Sequence, residues 1–339
     1  MADNFFPSQD VSVFFVQEAN VGGSADTDDT GFTQLQTTSF TIPEASVPVE
    51  YSGQRSGSFV ALENQGPHSQ GTKMWTFETT LKGTPESVLL ATNAVFEQGS
   101  SEAVLNNNYT FPSVNFKDGA GSAKTFEIRF ENAGSDSSSN NVICQGCVGT
   151  GFTLTEDIGS EGGELVCTIN WATGYMPNNV TGASDALGSP SYHTQTPKNI
   201  RDLDFAETKI DSEPLVCQSW ELNVSRTIER IHFKDQTGGS FKPFGYAMVG
   251  GFEVTGSLTV IRNDDVHDLL AKFYDGSTVN INIEETTASK LTITMPKCYI
   301  NEPSIDNGGA VLTETIPFTV VGADDISSTT KMLGVTIAP

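Results

Sequence analysis

The sequence predicts a mainly β protein: two tandem β-sandwich or barrel domains, each with one flanking α-helix and long loop arms. Three observations carry this. Short runs with a hydrophobic period of two recur along the chain, only two segments carry helix signals, and those two helices sit in matching surroundings. The composition agrees, with 18% charged residues, 37% hydrophobic residues and 32 glycines, and with Thr, Ser and Asn prominent in the remainder. Thr fits a pleated surface, while Gly, Asn and Ser serve turns. A chain of 339 residues can bury a sizeable core without covalent staples.

The strands come first. Residues 11–16 read VSVFFV. Residues 75–81 place Trp75, Phe77 and Leu81 on one face. Phe126, Ile128 and Phe130 alternate with Glu127, Arg129 and Glu131. Val279, Ile281 and Ile283 alternate with Asn280, Asn282 and Glu284. Each reads as a half-buried strand with its polar residues outward.

The first helix is predicted over Pro85 to Gln98, with Thr84 as N-cap, proline at the first position and Gly99 just beyond the end. The second is predicted over Asp264 to Tyr274. Asn263 caps it, Asp264 and Asp265 face the positive end of the dipole, and Gly276 follows. Val266, Leu269, Leu270 and Phe273 form one apolar stripe.

The two helices mark a repeat. Residues 75–99 and 252–276 are each an alternating strand, a capped helix and a glycine. Each block is followed by an alternating strand ending in acid, FEIRFE at 126–131 and VNINIEE at 279–285. Both halves then show a strand, a Gly-Gly turn and another strand, at 151–174 and 291–322. Ile169-Asn170-Trp171 matches Ile316-Pro317-Phe318 by pattern, and the first half carries an insertion at about 100–124. Each half also has a strand-rich preface, at 31–59 and 220–251. The domains are therefore expected at 1–176 and 201–339. The proline-rich stretch 177–200, poor in large apolar residues, reads as their linker, and 133–141 as an exposed loop.

Charge narrows the function. The net charge is −24, with 18 basic residues against 42 acidic ones. A protein that grips nucleic acid needs cations to displace counterions from phosphates, so tight binding to DNA or to anionic membranes is not expected. The first residues lack the basic and apolar regions of a signal peptide, and no run approaches eighteen apolar residues. Synthesis in a cytoplasm is expected, so most of the five cysteines are expected as free thiols and the three N-x-S/T sequons carry no meaning.

No motif points to catalysis. Cys144-Gln-Gly-Cys147 lacks the second cysteine pair or the paired histidines of a structural zinc site, and it leads into a strand rather than a helix. Buried strand thiols fit it better. Asp26, Asp28 and Asp29, with Asp324 and Asp325, lack the glycine and final glutamate of an EF-hand loop and read as solvated loops. The four histidines are scattered, and P-loop, nucleophile-elbow, zincin and dinucleotide fingerprints are all missing. Carboxylates abound, but nothing locates a glycosidase pair. The Gly-Gly pairs mostly lack a nearby lysine and read as turns. No catalytic residue, cofactor or metal is assigned.

The strand-plus-helix at 75–98 with strands 126–131 and 151–174, and its counterpart at 252–275, 279–285 and 291–322, resembles the tail tube fold of long-tailed (siphovirus) bacteriophages. The resemblance covers about residues 35 to 322. It implies a structural virion protein, assembled in the host cytoplasm, whose rings stack into a hollow tube through which DNA passes. A two-copy chain then implies a homotrimeric ring of pseudo-sixfold symmetry, with strands of neighbouring subunits joining into an inner barrel. The arms at 40–60 and 225–250 would reach adjacent subunits or rings. Implied partners are other copies of the chain, a tape measure protein in the lumen, and terminator and tip proteins at the ends. An acidic lumen would repel phosphate and let DNA slide, with Glu127, Glu131 and Glu284 as candidate lumen-facing acids. Two other readings stand beside it. One is a different virion structural protein, a head decoration or distal tail protein. The other is a carbohydrate-binding β-sandwich using its three Trp and seven Tyr.

Overall fold

The computed structural model describes residues 11–18, 31–43, 49–51, 67–69, 74–97, 102–106, 114–115, 120–121, 124–132, 141–159, 161–175, 177–180, 191–192, 197–204, 206–211, 213–232, 243–262, 269–286, 291–309, 311–322 and 331–337. It is mainly β, with one large, almost wholly antiparallel sheet system and two helices.

The first half opens with β1 (Val11–Gln17), β2 (Thr33–Gln34) and β3 (Thr37–Phe40). A small hairpin of β4 (Val49–Tyr51) and β5 (Pro67–Ser69) comes next, where the sequence predicts an arm. β6 (Trp75–Lys82) leads into α1 (Pro85–Phe96). The predicted insertion carries β7 (Glu102–Asn106), β8 (Val114–Asn115) and β9 (Ala120–Gly121). Then follow β10 (Phe126–Asn132), β11 (Asn141–Asp157), β12 (Val166–Thr173) and β13 (Asn178–Val180).

β14 (Ser191–Tyr192) precedes the second half, which starts with β15 (Lys209–Ile210) and β16 (Glu213–Pro214). The long β17 (Cys217–His232) and β18 (Pro243–Ile261) pair with each other, and the predicted second arm, 225–250, takes in the end of β17 and the start of β18. α2 (Leu269–Asp275), β19 (Thr278–Glu284), β20 (Leu291–Ile300), β21 (Ser304–Asp306), β22 (Thr313–Val320) and β23 (Lys331–Ile337) complete the second half.

Both halves use one pairing order. In the first it runs β2-β1-β10-β11-β12-β6-β3, and in the second β16-β15-β19-β20-β22-β18-β17, antiparallel throughout. β13 pairs with the start of β11 as β23 pairs with the start of β20. Two register shifts recur at matching places. One lies between Thr37 and Ser39 and again between Cys217 and Ser219, and the other between Phe126 and Ile128 and again between Val279 and Ile281. Each such shift inserts a residue and bends its strand.

α1 begins at its predicted Thr84 cap and ends at Phe96, two residues short of the predicted Gln98. The Thr84 hydroxyl accepts from the Ser87 N–H at 3.3 Å, Pro85 opens the helix and Glu97 closes it at φ 59°. It packs Val88, Ala91, Val95 and Phe96 into the core. Gly149 allows this close approach, because a Cβ there would lie 2.9 Å from Ala94. α2 is described only from Leu269; Asn263 to Asp268, with the predicted cap and His267, lie outside the described residues. Leu269 is buried and Phe273 packs half-buried against the same core.

One buried apolar cluster runs through both halves, from Val13 and Trp171 to Phe318 and Ile337. Trp171 donates from its indole to the Thr79 hydroxyl at 2.9 Å, with Phe15 and Phe126 against its ring. The described residues of the stretch 177–200, predicted as a linker, bond to this body at several points. They supply β13 and β14, and Lys198 is buried, donating from its backbone to Gly83 and accepting from Leu165.

β10 corrects the alternation reading. Its apolar face is buried as predicted, but Glu127 and Arg129 on the other face are buried too. Glu127 is neutralised by Arg129 at 2.6 Å, and the guanidinium lies 4.4 Å from the Phe32 ring centroid. A paired charge under an aromatic lid tolerates burial that an unpaired one would not.

Candidate assembly interface

The two halves meet where β11 pairs with β17. Gly151 to Asp157 run antiparallel to Ser219 to Ser225, with Leu154 opposite Leu222 and Glu156 opposite Trp220. Both leucines are fully buried. β11 serves both halves because it is long: β12 and β13 take one edge in succession, while β10 and β17 take the other. The junction gives β17 a partner on each side, so neither long strand is left as an open edge there.

A buried polar node sits at the end of this junction. Trp220 Nε1 donates to Glu156 Oε2 at 2.5 Å. Beside it Lys198 pairs with Glu285 at 2.9 Å, and Glu285 also accepts from the Leu291 N–H. Burial pushes the Glu156 carboxyl up to about 8; the Trp220 bond opposes this and the nearby Glu285 and Asp202 charges add to it. Burial likewise raises Glu285, against the pull of Lys198. Among the described residues Glu156 Oε1 has no hydrogen-bond partner. A neutral carboxyl therefore suits this site better than an ionised one.

The base of the second arm is anchored over the first half. Arg226 donates to the Gly149 carbonyl at 2.9 Å and to the Ala94 carbonyl at 3.1 Å, and pairs with Glu97 at 3.5 Å, all buried. It caps the C-terminal end of α1 with a cation, where the helix dipole favours one. Burial raises Glu97 to about 7, with Arg226 opposing. Further out, Tyr246 donates to the Gly146 carbonyl and accepts from the Gly174 N–H, and packs with Ile228 and Val148.

The candidate lumen acids are not brought together. Glu127 is locked inside with Arg129 and Gln145, which corrects the outward placement. Glu131 is half-buried at the end of β10. Glu284 is half-buried on β19 and accepts from Asn282 at 3.4 Å. The acid clusters at Asp26 to Asp29 and at Asp324 and Asp325 lie outside the described residues.

Catalytic and metal chemistry find no constellation among the described residues. No group of three or more potential ligands converges. All five cysteines are free and buried, as the strand-thiol reading of Cys144 and Cys147 expects, and burial raises the Cys144 thiol to about 12. An open concavity of about 370 Å³ is lined by Thr41, Thr76, Glu78, Thr150 and Asn170 beside Phe77 and Trp171. Glu78 is its one titratable lining residue. Trp75, Trp171 and Trp220 are all buried, which removes them as sugar-stacking platforms.

Among the described residues the buried charges lock strands together within a β-rich body. A model of the phage tail tube protein family matches residues 10–320, and the chain belongs to that family, whose members are non-enzymatic components of the phage tail. Comparison with curated proteins finds no match. Among solved structures, a chain described as "Virion of native gene transfer agent (GTA) particle" is similar at 14% identity and a TM-score of 0.25, over 42% of this chain and 99% of that one. A likeness of that degree bears on neither architecture nor function.

Proposed function

We propose that this chain is a tail tube subunit built from two tube folds in tandem, and that three chains make a ring imitating a hexamer. Rings stack into the hollow tail tube. The observation that carries this reading is the repeated seven-strand order, with both register shifts in place, joined head to tail through β11 and β17. A junction that seats one half on the next within a chain has the geometry to repeat between chains. Repetition by a fixed rotation closes a ring when the rotation divides the circle.

The bore is acidic and non-adhesive in this reading. With 42 acids against 18 bases, repulsion keeps DNA from sticking as it passes. Glu131 and Glu284 stay as candidate lumen acids; Glu127, being buried, does not. The tape measure protein occupies the lumen before DNA, and terminator and tip proteins close the ends. Native mass spectrometry of rings released from tubes tests the ring order. A mass of three times 36.3 kDa supports the proposal, and six chains per ring overturns the tandem-fold trimer.

A further inference from the structure

The repeated pairing gives a residue-by-residue register between the halves. Leu154 pairs with Cys167 on β12, as Ile305 pairs with Glu314 on β22; Trp171 pairs with Phe77, as Phe318 pairs with Gly256. Ile305 is therefore the counterpart of Leu154. On the other side, Thr37, Ser39 and Phe40 meet Leu81, Thr80 and Thr79, as Cys217, Ser219 and Trp220 meet Val260, Thr259 and Leu258. Even the bond from Lys82 N–H to the Gln36 carbonyl returns as Ile261 N–H to Val216. The Thr41 N–H bonds the Glu78 carbonyl, so Ile42 falls opposite Phe77 and is the counterpart of Leu222.

Leu154 and Leu222, facing each other across the internal junction, are both 0% exposed. Their counterparts are 52% exposed at Ile305 and 40% exposed at Ile42. Two neighbours repeat the contrast. Tyr299 is 44% exposed where its counterpart Val148 lies buried under Ile228 and Tyr246 of the second arm. Leu312 is 49% exposed where its counterpart Leu165 is buried beside Lys198. The same hydrogen bond fixes the last pair, from Gly83 to Leu165 and from Arg262 to Leu312. Each of these covered residues has a bare counterpart in the other half.

We infer that the bare edge takes a second copy of this chain: β21 of one chain pairs antiparallel with the 39–43 segment of the next, Ile305 opposite Ile42, in the register of Leu154 and Leu222. Thr41 turns its polar backbone toward Glu78, so alternation turns that of Phe40 and Ile42 to the free edge, ready for a ladder. The junctions differ in one respect. The buried Trp220–Glu156 pair corresponds to Phe40 and Asn307, so the junction between chains carries no titrating carboxyl there.

This inference rests on the ring reading, and one experiment separates the two. Ile42→Cys and Ile305→Cys are combined in one chain, assembled into tubes and treated with a short bismaleimide. The five native cysteines are buried and stay silent. A ladder ending at a covalent trimer, absent from either single variant, is expected. Tubes of normal form that yield no cross-link overturn the junction and leave the tube standing, whereas a ladder closing at six keeps the junction and overturns the trimer. A second pair guards against misfolding. Ile305→Asp should leave the single chain's circular dichroism and melting unchanged, lower tube yield at least tenfold, and regain yield when combined with Ile42→Lys. Assembly of Ile305→Asp at the parental yield overturns the inference.

Discussion

Replacing Glu156 by Gln tests how the internal junction is held. Glu156 is 1% exposed, accepts from Trp220 and lies near the Glu285 charge. Its carboxyl is raised from 4.5 to about 8, so the folded chain holds the proton that the unfolded chain releases. At about 1.4 kcal/mol per unit, that rise bounds the cost of ionising it at about 5 kcal/mol. Local relaxation and water entry reduce this to about 2–3 kcal/mol. The sign follows from the direction of the shift. The stability carried by the neutral carboxyl is fully present below about pH 4.5, is lost as pH rises through about 8, and is level above that. Gln cannot ionise and suffers no such loss. The variant should match the parent to within about 1 kcal/mol at pH 5 and exceed it by about 2–3 kcal/mol at pH 9. Urea unfolding of the unassembled chain from pH 5 to 9 measures the difference and cancels the titration of the other acids. A difference that stays flat with pH refutes a buried, protonated Glu156.

Three further perturbations probe the same architecture. Arg226→Met removes the cation that satisfies Glu97 and the Gly149 and Ala94 carbonyls, and should cost about 3 kcal/mol in unfolding experiments, with faster amide exchange along 226–232 and 243–250. Gly256→Val places a Cβ 2.3 Å from the Glu221 carbonyl and 2.5 Å from the Phe318 ring, so a loss of about 3 kcal/mol or more is expected from thermal melts. All five buried thiols should resist an aromatic disulfide reagent in native buffer and react at once in denaturant, and chelators should leave the melting temperature unchanged. Rapid reaction of any one of them in the folded chain contradicts its placement.

What the sequence made legible was local. Thr84 and Pro85 announce α1 because a cap and a fixed φ act within one turn. Trp75, Phe77 and Leu81 announce β6 because its outer face really is polar and exposed. The repeat was readable as an order of elements, since each element carries its own period. β10 misled because Glu127 and Arg129 satisfy each other two residues apart, and burial of a neutralised pair leaves the same alternating letters as exposure. The backbone bonds of Lys198 to Gly83 and Leu165 were out of reach, because side-chain composition does not record them. The junction of Leu154 with Leu222 was out of reach. It joins residues far apart in sequence, and its register has no local signature. The bareness of Ile305 and Ile42 emerges only when two registers are laid side by side.

The central claim is that one chain supplies two of six equivalent positions in a ring. Cryo-electron microscopy of assembled tubes tests it most directly. The account predicts rings of threefold symmetry with a sixfold-like inner wall, in which every β11–β17 contact within a chain alternates with an Ile305–Ile42 contact between chains. Rings of six whole chains, or threefold rings in which Ile305 faces solvent, would contradict it.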